Sequence, residues 1–422
     1  MKSESNRSVA SRFLTRDGWL LFATRCTRLF AYGLLSIILV LYLAEVGLSD
    51  ATIGLLLTLT LLGDTAISLW ITTTADRIGR RRMLILGALL MALAGVLFAS
   101  SDSFVVLLLA ATIGVISPSG NEVGPFLSIE QAALSQIVPG PRRTKVFAWY
   151  NLVGSFSTAL GALCGGALVQ WCQHLGNIGA AAYRPAVITY GVLGLLLAAG
   201  FAFVSNAVEV ALPAHDQPQR KLRLGLHRSR GVVLRLSSLF ALDAFGGGFV
   251  IQSIIAYWLH LRFGLEPATL GGIFLGANLL AGVSALAAGW LAEKIGLVNT
   301  MVFTHLPSNV LLMLVPLMPT AWLAVAVLLL RFSISQMDVP TRQSYTMAVV
   351  SPDERSAASG VTSVARSIGA SISPALSAAL VGTAGLASVP FFMAGGIKVL
   401  YDLLLYRSFV SLRPPEEQFE RR

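Results

Sequence analysis

Arg25, Arg28, Asp64, Asn121, Glu122, Glu130, Asp243, Asp338, Arg342 and Arg366 all stand inside long apolar stretches of a 422-residue chain. A charge held at the centre of a hydrocarbon layer costs roughly 2.5 to 3.5 kcal/mol, so each must be paired, hydrated or used. The carboxylates can bind and release protons, and the guanidiniums can hold an anion. Arg25 and Arg28 are three apart and share a helix face. Asn121 and Glu122 fall within Pro118-Ser119-Gly120-Asn121-Glu122-Val123-Gly124-Pro125, where two prolines and two glycines interrupt an apolar run and free backbone polar groups. No phosphate-binding loop, Ser-His-Asp arrangement or metal-spaced cluster occurs around His174, His215, His227, His260 and His305. Cys26, Cys164 and Cys172 are too scattered for a disulfide framework or a metal site. An enzyme is therefore not expected, nor a metal or other cofactor.

The elements that position these residues are helices in a bilayer. The chain is 55% hydrophobic and only 12% charged, with mean hydropathy +0.73, whereas soluble domains are about one quarter charged. Apolar runs of some twenty residues recur, which fits helices rather than barrel strands. Twelve spans are expected, near 18–44, 52–75, 83–100, 103–138, 144–170 and 184–205, then 233–259, 268–292, 298–318, 321–350, 356–383 and 388–411. The net charge of +10 does not point to nucleic acid, because the basic residues concentrate on alternate loops. These are residues 1–17, 77–82, 142–145, 220–235 and the stretch from 407 onward. By the positive-inside rule both termini are expected in the cytoplasm. The first helix reads as uncleaved, and the Leu-, Ala- and Arg-rich composition points towards a bacterial cytoplasmic (inner) membrane.

The chain is also duplicated. Gly47 to Gly54 and Gly264 to Gly271 stand 217 residues apart, as do Asp76-Arg77-Ile78-Gly79 and Glu293-Lys294-Ile295-Gly296. Later in each half the offset becomes 212, carrying Gln131 onto Gln343 and Arg143 onto Arg355, so about five residues are inserted in the first half. The expected organisation is a six-helix half over 1–205, a cytoplasmic linker over 206–232 and a second half over 233–422. Two such repeats about an axis along the membrane normal are a transporter architecture, with substrate near the midplane between them.

The basic turn Asp76, Arg77, Gly79, Arg80, Arg81, Arg82 resembles the signature after the second helix of the major facilitator superfamily. Thr72 stands where that signature begins with Gly, and the second copy supplies the residue as Gly289, beside Glu293 and Lys294. Gly161-Ala162-Leu163-Cys164-Gly165-Gly166 resembles a fifth-span pattern of proton-coupled exporters, with Ala162 in place of Pro. The absence of Arg from 104 to 138 departs from the drug-exporter branch. The resemblance implies that spans 1, 4, 7 and 10 line a central cavity.

On that packing a gate is expected between Arg25 or Arg28 and Asp243, unless the arginines snorkel to headgroups. Glu130 and Arg342 are pseudo-equivalent and can meet across the cavity. Alternatively, Glu130 joins Asp76 and Arg80, and Arg342 pairs with Asp338 one turn away. Asp64 either carries a proton or bonds to Arg366, and Lys398 with Asp402 reads as a local ion pair. Asn151 and Asn278 can donate to a ligand or pack helices. Asp76 is expected at a helix N-terminus of the opposite half, and Thr72 implies a looser contact there than Gly289 makes. The resemblance implies a monomeric alternating-access transporter whose partners are the lipid bilayer, a small-molecule substrate and protons, with proton-coupled efflux favoured. Uptake of an anionic metabolite and a non-transporting sensor are the alternatives.

Overall fold

The computed structural model describes residues 14–120, 126–138, 140–209, 228–351 and 354–412, with the side chains of 72–74, 76, 77, 140–145, 148 and 356 outside the described set. The first six spans are α1 (Arg16–Glu45), α2 (Asp50–Ile78), α3 (Arg80–Ser100), the pair α4 (Phe104–Ile113) and α5 (Phe126–Ile137), α6 (Gly140–His174) and α7 (Ala180–Ala202). The last six are the pair α8 (Arg230–Gly248) and α9 (Gln252–Phe263), then α10 (Pro267–Ile295), α11 (Leu297–Leu314), the pair α12 (Ala321–Phe332) and α13 (Asp338–Ala348), α14 (Arg355–Val381) and α15 (Val389–Phe409). Spans 4 and 10 are each built from two short helices, and together with the long helices they complete twelve crossings.

The duplication reaches the helix ends. Both ends of α2 map onto both ends of α10 at 217, and the starts of α3 and α4 map onto the starts of α11 and α12. The local reasons differ at the helix starts and agree at the ends. Ser49 caps α2 by accepting from the Thr52 amide at 3.3 Å, while α10 begins with Pro267 at its first position, where a missing N–H costs nothing. Gly79 (φ +113°) and Gly296 (φ +87°) each turn the chain between two spans in a backbone region closed to other residues. The change of offset falls inside span 4: α5 and α13 start 212 apart, so the five extra residues lie between Ile113 and Phe126.

The break in span 4 is present, and spans 7 and 10 are broken too, which the apolar runs concealed. At the first break Val115 holds φ +53°, a strained value for a β-branched residue costing about 1 to 3 kcal/mol. Tyr190 Oη shares its one donor between the carbonyls of Gly114 and Val115, at 3.1 and 3.2 Å. Span 7 breaks at 249–251 after Gly246-Gly247-Gly248, and Ser373 and Ser377 on α14 donate to the Phe245 and Phe249 carbonyls at 2.5 Å each. Span 10 breaks at 333–337, where Ser284 Oγ accepts from the Gln336 amide at 3.4 Å.

The two sets of six helices meet along α2 with α14 and α6 with α10. Small residues allow this approach. A Cβ on Gly54 would sit 2.8 Å from the Ala375 backbone, and one on Gly166 would overlap the Pro267 carbonyl oxygen. Packing is tightest on the side away from the chain ends. Residues 31–43 of α1 and 248–259 of span 7 are buried without interruption, while the halves of these spans nearer the basic loops each regain an exposed face. Hydrogen bonds close the same side: Tyr257 Oη donates to Asp50 at 2.8 Å, the Ala268 amide donates to Gln170 at 3.1 Å, and Gln170 also bonds Glu266.

Candidate functional site

Along α1, Arg28 lies about 18 Å from the helix start, near mid-membrane. It donates to Glu130 of α5 from both terminal nitrogens, at 2.6 and 2.7 Å, and both side chains are fully buried. Tyr150 of α6 also donates to Glu130. Arg28 lies 4.7 Å from the Phe126 ring centroid, and Arg25 lies 4.2 Å from that of Tyr150 while donating to Asn151 at 3.4 Å. The expected gate between these arginines and Asp243 is therefore absent in this conformation, as is a meeting of Glu130 with Arg342. Arg28 and Glu130 pair within the first half, where a fork of two N–H bonds compensates a buried carboxylate better than a long reach across the interface.

Asp243, on α8, is the hub of the other half. Lys398 of α15 donates to it at 2.6 Å and Arg342 of α13 at 3.1 Å, while Arg366 of α14 approaches to 3.6 Å. Arg342 also bonds Asp338, one turn before it, at 3.1 Å, as the i,i+4 alternative required. Lys398 does not pair with Asp402. Asp402 instead meets His305 Nδ1 at 2.8 Å and accepts from Asn309 at 3.1 Å, both on α11. His305 Nε2 faces Asp243 at 3.7 Å. Lys398 thus reaches across to another helix although a carboxylate stands four residues along its own. His305 was missed by the sequence reading, which sought metal-like spacing. A His, then Asn309 one turn on, within a membrane span was the available signal.

Asp64 is buried with Ser68 Oγ at 3.5 Å, and Arg366 turns to Asp243 rather than to it. Asn121 and Glu122 lie outside the described residues, as do the side chains of Thr72, Asp76 and Arg77. Gly289 makes no close contact, since a Cβ there would meet open space, so the tighter second-copy contact expected from Thr72 is not found. Glu293 is exposed, and Lys294 sits over the Trp290 ring at 3.9 Å. The turn at Gly79 is held by Glu209, whose carboxylate accepts from the backbone amides of Arg80 and Arg81 at 2.7 and 3.1 Å. Arg80 also donates to Gln136 at 3.0 Å.

A neutral polar contact joins the two halves beyond the charged clusters, toward the closed side. The Ser253 amide donates to the Pro118 carbonyl at 3.2 Å, joining the breaks of spans 4 and 7. Gln252 donates to Ser36 at 2.8 Å and accepts from Asn278 at 3.3 Å. Discontinuous helices meeting within the membrane, with buried charges to one side, define a polytopic carrier.

The family model of the Major Facilitator Superfamily matches residues 21–374, and the chain belongs to that superfamily. It is 28% identical over 433 residues to an uncharacterised membrane protein of Saccharomyces cerevisiae, covering 96% of each chain. It is 25% identical over 196 residues to the quinolone resistance protein NorA of Staphylococcus aureus, 46% of this chain and 44% of that one. In fold it is similar to a bacterial homologue of the human lysosomal transporter Spinster in an inward-facing, occupied conformation. There the TM-score is 0.71 with 16% identity, over 94% of this chain and 97% of the other. The protein is a membrane-embedded transporter of a small molecule and not an enzyme.

Proposed function

We propose that the chain works by alternating access as a proton-coupled exporter of a small organic molecule, acting as a monomer in a bacterial cytoplasmic membrane with both termini in the cytoplasm. The supporting observation is the Asp243 cluster. It ties spans 7, 10, 11 and 12 through one carboxylate. Protonating Asp243 would release Lys398, Arg342 and Arg366 together. On this reading the proton binds the inward and outward states with different affinity and so shifts the balance between them. Glu130 and Asp64 are buried in this conformation, so on this reading they exchange protons only in the opposite one, and Glu122 remains a third carrier. With the basic loops in the cytoplasm, closure on the far side makes this the inward-facing state. Export is supported by the partial likeness to a quinolone resistance protein.

The test uses everted vesicles energised to an acidic interior. Compounds are added singly, and proton leak is read with a fluorescent weak base. Export predicts that some compound accumulates inside and discharges the gradient, and that Asp243→Asn abolishes both. Accumulation only in right-side-out vesicles would favour uptake of an anionic metabolite. That second reading draws on Arg366 Nη1 and Arg331 Nε, buried nitrogens without a hydrogen-bond partner.

A further inference from the structure

His305 is the one imidazole among the described residues whose two nitrogens face different carboxylates. Nδ1 lies 2.8 Å from Asp402 and Nε2 lies 3.7 Å from Asp243, and the ring is buried on α11, edge-on to Tyr401 with centroids 5.8 Å apart. We infer that His305 is the proton-holding residue of this half, binding a proton at Nε2 that it exchanges with Asp243. The inference rests on the proton-coupled reading above.

Nδ1 lies 2.8 Å from Asp402 and 3.2 Å from the Asn309 amide nitrogen, so one proton is held between His305 and Asp402: either Nδ1–H donates to the carboxylate, or Nδ1 accepts from Asn309 and the proton sits on Asp402. Asn309 holds the other Asp402 oxygen at 3.1 Å and thereby fixes that carboxylate. With the proton on Nδ1, Nε2 is a lone pair 3.7 Å from Asp243, a repulsive contact until Nε2 is protonated. The resulting imidazolium lies between two carboxylates.

The charged groups around the ring decide what that proton does. Asp243 comes from α8, and Lys398, Tyr401 and Asp402 come from α15. Arg342 and Asp338 come from α13, Arg366 from α14 and Arg331 from α12. The charged residues of α10, Glu293 and Lys294, lie at its exposed end. With His305 neutral, Asp243 is compensated by Lys398 at 2.6 Å and Arg342 at 3.1 Å. A protonated Nε2 competes for the same Asp243 oxygen that Lys398 holds, since both contacts are to Oδ1. The proton therefore weakens the tie from span 12 to span 7 and leaves the Arg342 tie, on Oδ2, in place. Lys398 is the group that moves.

The experiment is a nitrogen-15 histidine NMR titration of the full-length protein in detergent micelles, pH 5 to 8, with His305 assigned by its loss in His305→Gln. The expected result is an Nε2 resonance that reports a proton passing between His305 and Asp243 and that changes in Asp243→Asn, where the facing charge is gone. His305 neutral throughout, charged throughout, or indifferent to Asp243→Asn overturns the inference. Vesicle transport driven by a pH gradient separates this from the broader reading. Unchanged pH-driven transport in His305→Gln sinks the histidine while the exporter stands. A titrating His305 in a wild-type protein whose transport ignores the gradient sinks the coupling and leaves the proton site.

Discussion

Arg28 and Glu130 form a doubly hydrogen-bonded pair at 2.6 and 2.7 Å, sealed from solvent, that joins the first span to the second half of the broken fourth. The pair holds its own half together and does not bridge the two. Removing one partner leaves a buried charge, which costs about 3 to 5 kcal/mol, whereas removing both leaves none. Arg28→Met and Glu130→Gln should therefore each lower the melting temperature in detergent more than the double variant Arg28→Met/Glu130→Met. A double variant less stable than either single one would contradict this.

The bond from Tyr257 to Asp50, 2.8 Å long, crosses from span 7 to span 2 on the closed side. A hydrogen bond to a charged group contributes about 1.5 to 3 kcal/mol, and 1.4 kcal/mol is roughly tenfold in an equilibrium. Tyr257→Phe should shift the population towards opening on that side by about tenfold or more. The rate at which an impermeant maleimide labels Gln252→Cys reports it, and an unchanged rate would show that the bond does not limit opening.

Two glycines of one helix should fail differently. Gly161 packs against the Phe30 carbonyl within the first six spans, while Gly166 packs against Pro267 of the last six. Gly161→Leu is expected to reduce folded yield. Gly166→Leu should leave the yield intact and prevent closure of the far side, seen as faster labelling of Gln252→Cys. The exporter-like glycine pattern thus has a packing role in this chain.

Glu209 accepts from two backbone amides at the start of α3, and a carboxylate at a helix N-terminus contributes some 0.3 to 1 kcal/mol beyond its hydrogen bonds. Glu209→Gln keeps one acceptor and removes the charge. Protease accessibility of the segment after Ala202 should rise several-fold in Glu209→Gln and further in Glu209→Ala. Equal protection in all three would assign the turn to Arg80 and Gln136 instead.

The sequence by itself determined the membrane class, the twelve crossings, the duplication and the existence of a break in span 4, because burial in lipid imposes long apolar runs and repeats preserve register. The offset of 217 even returned both ends of α10 from those of α2. Tertiary structure decided which charges meet. Lys398 had Asp402 four residues away and bonds Asp243, and Arg28, a candidate gate partner of Asp243, bonds Glu130. Spacing along one helix fixes only which face a residue is on. Partner choice depends on how five helices converge and on which arrangement leaves no buried charge uncompensated. The breaks in spans 7 and 10 were hidden for a related reason. The hydroxyls that satisfy the freed backbone in span 7, Ser373 and Ser377, lie 128 residues away along the chain.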